Sequence, residues 1–380
     1  MTTPKVSFVV PCFKLAHLLP ECIASILKQT YTDFEVLILN DCSPDNTAEI
    51  ARTFDDPRVQ LIDNPVNLGN LRTYNKGIKL SRGAYVWLIS ADDYLLKPYV
   101  LERFIRLLDA RPDVGYVFCP GIGVVGGEHR QLLGEYRKQD CVVDGKKLLK
   151  KLLQQNFILA PGVLVRRECY EQISDFPLEV EWKGTPIQMK WLGDWYLWCR
   201  FALVHDVGYF AEPMVCYRMH ELSMTNDVTQ PETVQACAES DLAMLWLMKH
   251  HATELNYRYV AADCLKAIAN EYRRQGASKH FRASTYVLHA ADFERSLCRN
   301  TADPKERRLI RARYRDGAGN RYLALGQLDE ARRCYLGSIR DDPSRIKLYG
   351  KLLFLQMGGL GLNIRRMFGG FRRTSRANAS

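Results

Sequence analysis

Two adjacent carboxylates, Asp92 and Asp93, close a run from Ala84 to Ser90 that carries no charge. Side-by-side carboxylates repel, so this placement is costly unless a cation or a set of donors compensates. Hard oxygen ligands of this kind suit Mg2+ or Mn2+. A third carboxylate, Asp41, lies in the turn-rich stretch Asn40-Asp41-Cys42-Ser43-Pro44-Asp45. It can accept from an imide N–H, and Pro11 with Phe13 offers an apolar wall for a flat ring. Asp and Ser favour a capping turn there as well. Asp194 opens a helix-like segment, Trp195 to Leu203, with Trp195, Tyr196 and Trp198 at hand. Aromatic, partly dry surroundings raise a carboxyl pKa and provide faces for stacking, while an Asp at that place also suits an N-cap.

The elements that must position these groups follow from apolar periodicity. Val6–Val10 reads as a buried strand ended by Pro11, and His17–Gln29 carries apolar residues at helical spacing. A strand over Glu35–Leu39 runs into the Asp41 turn. Asn46 with Glu49 three residues on has the spacing of a capping box for the next helix. Val59–Ile62 is a third strand, Leu71–Leu80 a helix, and Ala84–Ser90 a fourth strand. This β-α-β-α-β-α-β order, with strands too continuously apolar to expose a face, predicts a mostly parallel sheet covered by helices. Ligands of such sheets gather at the carboxyl ends of the strands. Pro11, Asp41 and Asp92-Asp93 all fall there, on one rim. Gly121-Ile122-Gly123-Val124-Val125-Gly126 formally matches GxGxxG, but no helix with an apolar face opens after it, which excludes a dinucleotide role.

The stretch VSFVVPCFKLAHLLPECIASILKQTYTDFEVLILNDCSPDNT, followed by NLGNLRTYNKGIKLSRGAYVWLISADDY, resembles the family 2 glycosyltransferases of the GT-A fold. The likeness extends more loosely through Gly193-Asp194-Trp195 to Tyr217-Arg218-Met219-His220, about the first 225 residues. The resemblance implies an inverting transfer of sugar from a nucleoside diphosphate donor, a UDP-sugar above all, to a saccharide or lipid-linked saccharide. It implies Asp41 for the base, Ser90 for the ribose and Asp92 as the metal ligand, with Pro11, Phe13, Asn70, Asp93 and Arg218 also on the donor. Asp194 becomes the base catalyst, and His220 a metal or diphosphate contact or else a structural histidine. The segment Glu179–Trp191, with Trp182 and Trp191, and Trp195 beyond it, are the acceptor candidates; a packed surface loop explains the former equally. Two departures stand out: the first Asp of the family's Asp-x-Asp motif is Ser90, and its Glu-Asp pair is Gly193-Asp194. The loss of one carboxylate leaves open a second reading, a catalytically impaired scaffold that binds nucleotide sugar.

Beyond residue 225 helical patterns dominate. The expected domains are a catalytic α/β domain over 1–225, a helical domain over 226–342 and a basic amphipathic tail over 343–380. Gly319, Tyr322, Gly326, Asp329-Glu330-Ala331, Tyr335 and Pro343 resemble one tetratricopeptide hairpin, without a second copy. Charge is divided unevenly: residues 1–225 carry 26 Lys+Arg and 27 Asp+Glu, the rest 27 and 16. The C-terminal part therefore calls for an anionic partner. No base-reading module is recognisable, which excludes nucleic acid. The tail has eight Lys/Arg and no Asp/Glu, and Lys347–Leu355 and Ile364–Phe368 mix basic and apolar residues, as segments lying on anionic membranes do. Twelve cysteines without a CxxC pair, no signal-like start and no long apolar run lead to the expectation of a cytoplasmic protein, peripheral on the cytosolic membrane face.

Overall fold

The computed structural model describes residues 3–126, 128–173, 175–220, 231–277 and 286–356. The chain divides into two compact units, Met1–Cys264 and Leu265–Ser380.

The first unit begins with the expected alternation: β1 (Val6–Cys12), α1 (Leu19–Leu27), β2 (Phe34–Asn40), α2 (Thr47–Arg52), β3 (Val59–Asp63), α3 (Asn70–Leu80) and β4 (Tyr85–Leu88). It continues with β5 (Tyr94–Leu95), α4 (Val100–Ala110), β6 (Val114–Phe118), β7 (Gly121–Val125), β8 (Glu128–Leu133), β9 (Cys141–Val143) and α5 (Gly145–Leu152). Then come β10 (Val163–Arg166), α6 (Arg167–Gln172), β11 (Glu179–Trp182), β12 (Thr185–Gln188), α7 (Gly193–Val204), β13 (Asp206–Tyr209), β14 (Val215–Arg218), α8 (Pro231–Glu254) and α9 (Arg258–Gly276). The main sheet has eight strands in the order β3-β2-β1-β4-β10-β6-β13-β9. Its first four are parallel, and their register aligns Cys12 with Asn40 and Asn40 with Asp63. The polar turns after these strands therefore open on one edge. The parallel run ends at β10, which is antiparallel to both β4 and β6.

Every residue of β1 and β2 is buried, so continuous apolar runs are what a sheet covered on both faces requires. Phe8, Trp87, Phe104 and Phe210 stack in succession, with ring centroids 5.1–5.4 Å apart. Burying each such ring contributes about 1.5–3 kcal/mol. On the other side Gly77 lets α3 lie on β1, because a Cβ there would stand 2.2 Å from a methyl of Val9.

Three local expectations change. Asn46 makes no side-chain cap; Asp45 accepts instead from the backbone N–H and hydroxyl of Thr47. The segment 179–188 is no loop but the hairpin β11–β12, turned by Lys183 at φ 53° and Gly184 at φ 72°. The GxGxxG stretch is β7, which turns at Gly126 into antiparallel β8, so its glycines open no helix. β7 also pairs with β14, and β5 with β14, forming a second sheet of order β5-β14-β7-β8.

The described part of the second unit is helical: the end of α9, then α10 (Ala290–Asn300), α11 (Pro304–Ala324), α12 (Leu328–Asp341) and α13 (Ile346–Gln356). Asp303 caps α11 through the N–H of Lys305, with Pro304 in the first turn. The tetratricopeptide-like stretch is the α11–α12 hairpin. Tyr335 fills the notch at Gly319, where a Cβ would lie 2.5 Å from the ring, and Gly326 takes the left-handed turn at φ 76°. Ala331, Tyr335 and Leu348 form a small core there. No described helix is long and apolar enough to cross a membrane. The basic segment Ile364–Phe368 lies outside the described residues.

Candidate active site

The site grows from the carboxyl ends of β1, β2 and β4. After β1 the chain turns through Lys14, at φ 58°, whose N–H donates to Ser43 Oγ at 2.8 Å. Asp45 accepts from Ala16 N at 3.0 Å and from Ser43 Oγ at 2.6 Å. These bonds tie the loop after β1 to the loop after β2. Burial works against the charge of Asp45, but the Ser43, Thr47 and Ala16 donors prevail and hold its carboxyl below the usual range. Pro11 is buried within β1, while Phe13, one step beyond its end, is exposed.

Asp41 is buried, and its carboxylate is occupied by the chain itself. Oδ1 accepts from Asn64 Nδ2 and Leu68 N, both at 2.8 Å, and Oδ2 from Gly69 N at 2.9 Å. Asn64 in turn accepts from Lys76 Nζ at 2.6 Å and donates to Thr73. Asp41 thus locks the segment 64–69 across the end of β2, and sequence reasoning missed this scaffold of Asn64 and Lys76. Asn70, exposed at the start of α3, follows directly.

Asp92 and Asp93 diverge. Asp92 Oδ2 meets His220 Nε2 at 2.9 Å, whereas its Oδ1 is buried without a hydrogen-bond partner among the described residues. Burial would raise the Asp92 carboxyl, but hydrogen bonds from His220 and Ser90 outweigh it and hold the group below the usual range. Asp93 is fully enclosed, accepting from Arg218 N at 3.0 Å. Burial first, and the charge of Asp92 next, push its carboxyl well above the usual range. The pair therefore shares its repulsion unequally: the Asp92 carboxyl is held down and the Asp93 carboxyl pushed up.

Arg218 sits at the end of β14, beside this pair. Its guanidinium donates to the carbonyl of Asp92 at 2.5 Å and to Glu21, and lies 4.7 Å from the centre of the Tyr94 ring. These partners make it a clamp that joins β14 to the Asp92 turn and to α1. A partner in Glu21 could not be foreseen, being 197 positions away.

Asp194 stands in the first turn of α7. Its Oδ1 accepts from Trp195 N at 2.7 Å and its Oδ2 from Asn156 Nδ2 at 3.1 Å. Trp195 does not face an acceptor. It is wholly buried and its indole donates to the carbonyl of Leu152 at 2.8 Å, so it anchors α7. Trp182 is half-buried, 5.8 Å from His250, and Trp191 is half-buried with Lys190 over its ring.

One residue that sequence reasoning passed over ties the carboxylates together. Tyr74, on α3 and stacked on Phe176 at 5.4 Å, has its hydroxyl pushed strongly up. Burial is the main cause, followed by the negative charges of Asp92, Asp93 and Asp194. The electrostatic influence of positions 92–93 and of 194 thus reaches the same hydroxyl, behind burial as the main cause. The signal was only the aromatic within Arg72-Thr73-Tyr74-Asn75, too short to weigh; Asn156 had none. Among the described residues no three or more His, Cys, Asp or Glu side chains form a complete metal cage.

The family model described as glycosyl transferase family 2 matches residues 7–173. Residues 7–173 are a family 2 glycosyltransferase domain. The glycosyltransferase match includes the loops at Asp41 and Asp92-Asp93 and ends before Asp194 and His220. An uncharacterised glycosyltransferase of Rickettsia typhi is 26% identical over 229 residues, 59% of this chain and 67% of that protein. The glycosyltransferase GlyG of Streptococcus pneumoniae is 34% identical over 111 residues, 29% of this chain and 37% of that protein. The chain thus spans from about a third to two thirds of these relatives' length. Among solved structures, S. aureus TarS 1-349 in complex with UDP-GlcNAc superposes with a TM-score of 0.59 at 17% identity, covering 88% of this chain and 91% of that one. The fold is therefore GT-A, an α/β sheet between helices, with a helical C-terminal region.

Proposed function

We propose that the chain transfers a sugar from a nucleoside diphosphate donor, with a UDP-sugar favoured, to the hydroxyl of a saccharide or lipid-linked saccharide, with inversion. The observation that carries this reading is a buried Asp92 oxygen without a partner among the described residues, beside His220 and at the strand-end edge where the Asp41 turn also opens. That TarS is solved with UDP-GlcNAc supports the choice of donor.

Asp92 and His220 fit a divalent cation of the Mg2+ or Mn2+ kind. A charged oxygen with no donor, next to an imidazole, suits an ion that takes one or two protein ligands and its remaining ligands from phosphate and water. Such an ion, when bound, supplies Lewis-acid stabilisation of the departing diphosphate. Asp93, its carboxyl pushed up by burial and by Asp92, accepts from Arg218 N, and the Arg218 guanidinium keeps the turn closed from behind. Ser90 is spent on Asp92 and so orients that carboxylate, while its part toward the ribose is the weaker of its two roles. The segment 64–69, pinned by Asp41, forms the floor for the base together with Pro11 and Phe13, and Asn70 borders it. Asp194, steadied by Asn156, takes the proton from the attacking hydroxyl. Trp182 and Trp191 border the acceptor.

The C-terminal part supports a peripheral position on an anionic membrane surface: Ile346, Tyr349 and Leu353 are exposed on one face of α13, and the basic tail follows. The test of the main reading is a calorimetric titration with UDP-sugars, with and without Mn2+. Binding that requires the ion in the wild type and is lost in Asp92→Asn is expected. Equal binding by both proteins, or none with any nucleotide sugar, would overturn it.

A further inference from the structure

A cavity of about 570 Å³ opens between α9, α11 and α13 in the second unit. Its chemistry is unlike the glycosyltransferase site. Five cationic side chains line it, Arg273, Arg313, Arg345, Lys347 and Lys351, against two carboxylates. Both carboxylates are already occupied. Asp316, buried, accepts from Arg345 Nη2 at 2.6 Å and from Lys351 Nζ at 3.0 Å. Asp342 accepts from the N–H and hydroxyl of Ser344, at 3.2 and 2.6 Å.

What remains is an excess of donors. The second terminal nitrogen of Arg345, Nη1, is buried without a hydrogen-bond partner among the described residues, and the side chain is only 12% exposed. Burial lowers its pKa, with the charges of Arg313 and Arg273 adding to the effect. Arg273, Arg313 and Lys347 have no carboxylate partner among the described residues. A buried guanidinium N–H with no acceptor is costly, and like charges gathered around it add repulsion. An anion with several oxygens in the cavity would relieve both. The planar fork of arginine matches a phosphoryl group, which offers two oxygens to one guanidinium and a third to its neighbour.

We propose that this cavity is a binding site for a phosphoryl anion, with Arg345 as the buried contact and Arg273, Arg313 and Lys347 as its rim. The site is separate from the sugar-transfer reading and stands or falls without it. The phosphoryl group can be free in solution or borne by a lipid headgroup.

The probe is inorganic tripolyphosphate, titrated calorimetrically into the full-length protein. Arg313→Gln/Lys347→Gln leaves the Arg345–Asp316–Lys351 cluster intact, and its unliganded melting midpoint reports that folding is preserved. Arg345→Gln is the second variant. Saturable binding by the wild type, weakened at least tenfold in the double variant at an unchanged midpoint, is the expected result. Vesicles with and without phosphatidic acid form a second arm. Variant-sensitive binding to the acidic vesicles alone assigns the anion to a headgroup; variant-sensitive binding of tripolyphosphate assigns it to a soluble phosphate. Binding absent in both arms, or equal in wild type and double variant, overturns the proposal.

Discussion

Replacing Asp194 by Asn separates chemistry from architecture in this chain. The substituted side chain keeps an oxygen for Trp195 N, which now lies 2.7 Å from Oδ1. On the other side it brings an amide NH2 toward Asn156 Nδ2, where Oδ2 now accepts at 3.1 Å. Asn156 cannot simply flip, because its own Oδ1 accepts from Ile158 N. One hydrogen bond to a charged group is lost, which costs about 1.5–3 kcal/mol of stability. Loss of a general base costs transfer a factor of about 10²–10⁴. Converted at 1.36 kcal/mol per decade, that is about 3–5 kcal/mol of barrier height. The two quantities are read independently. A urea titration reports the first; UDP released from a UDP-sugar at saturating acceptor reports the second, with donor affinity by calorimetry as the control. Transfer within threefold of wild type, or a loss no larger than the unfolded fraction explains, would remove Asp194 from the role of base.

Asp41→Asn leaves one oxygen and sets an amide NH2 against either the N–H of Gly69 or the donors of Leu68 and Asn64, loosening the segment 64–69; donor affinity measured by calorimetry should fall about tenfold or more for the lost contact. Unchanged affinity would show that this segment does not shape the donor site. Gly77→Ala drives a methyl into Val9 and should cost about 1–3 kcal/mol in urea unfolding. His251 is held down to about 4 by burial, then by Arg200 and His250. It binds its proton less readily folded than unfolded, so stability is complete above the ordinary value of 6.5 and is lost as pH falls toward 4. At pH 5 the loss is about 2 kcal/mol, and urea midpoints at pH 7 and 5 should converge for a His251→Asn variant. A variant that loses as much stability as the wild type refutes this assignment.

The first four strands and the helices between them were legible in the sequence because each is locally consistent. Val6–Val10 and Glu35–Leu39 are continuously apolar, since both faces of their sheet are covered, and the turn residues at Asp41 and Asp92-Asp93 mark where they end. Parallel pairing then brings those ends to one rim, so the placement of Asp41 and Asp92 followed from order alone. The hairpin β11–β12 was not legible, because its turn uses Lys183 in a left-handed conformation that no local composition announces. Trp195 looked like a ligand contact for the same reason: an aromatic at helical spacing says nothing about whether its face meets solvent or, as here, the carbonyl of Leu152. Which carboxyl of Asp92-Asp93 is held down and which is pushed up, the partnership of Arg218 with Glu21, and the gathering of donors around Arg345 are properties of tertiary contact. They depend on burial and on charges tens to hundreds of positions away, and only the folded chain sets those distances.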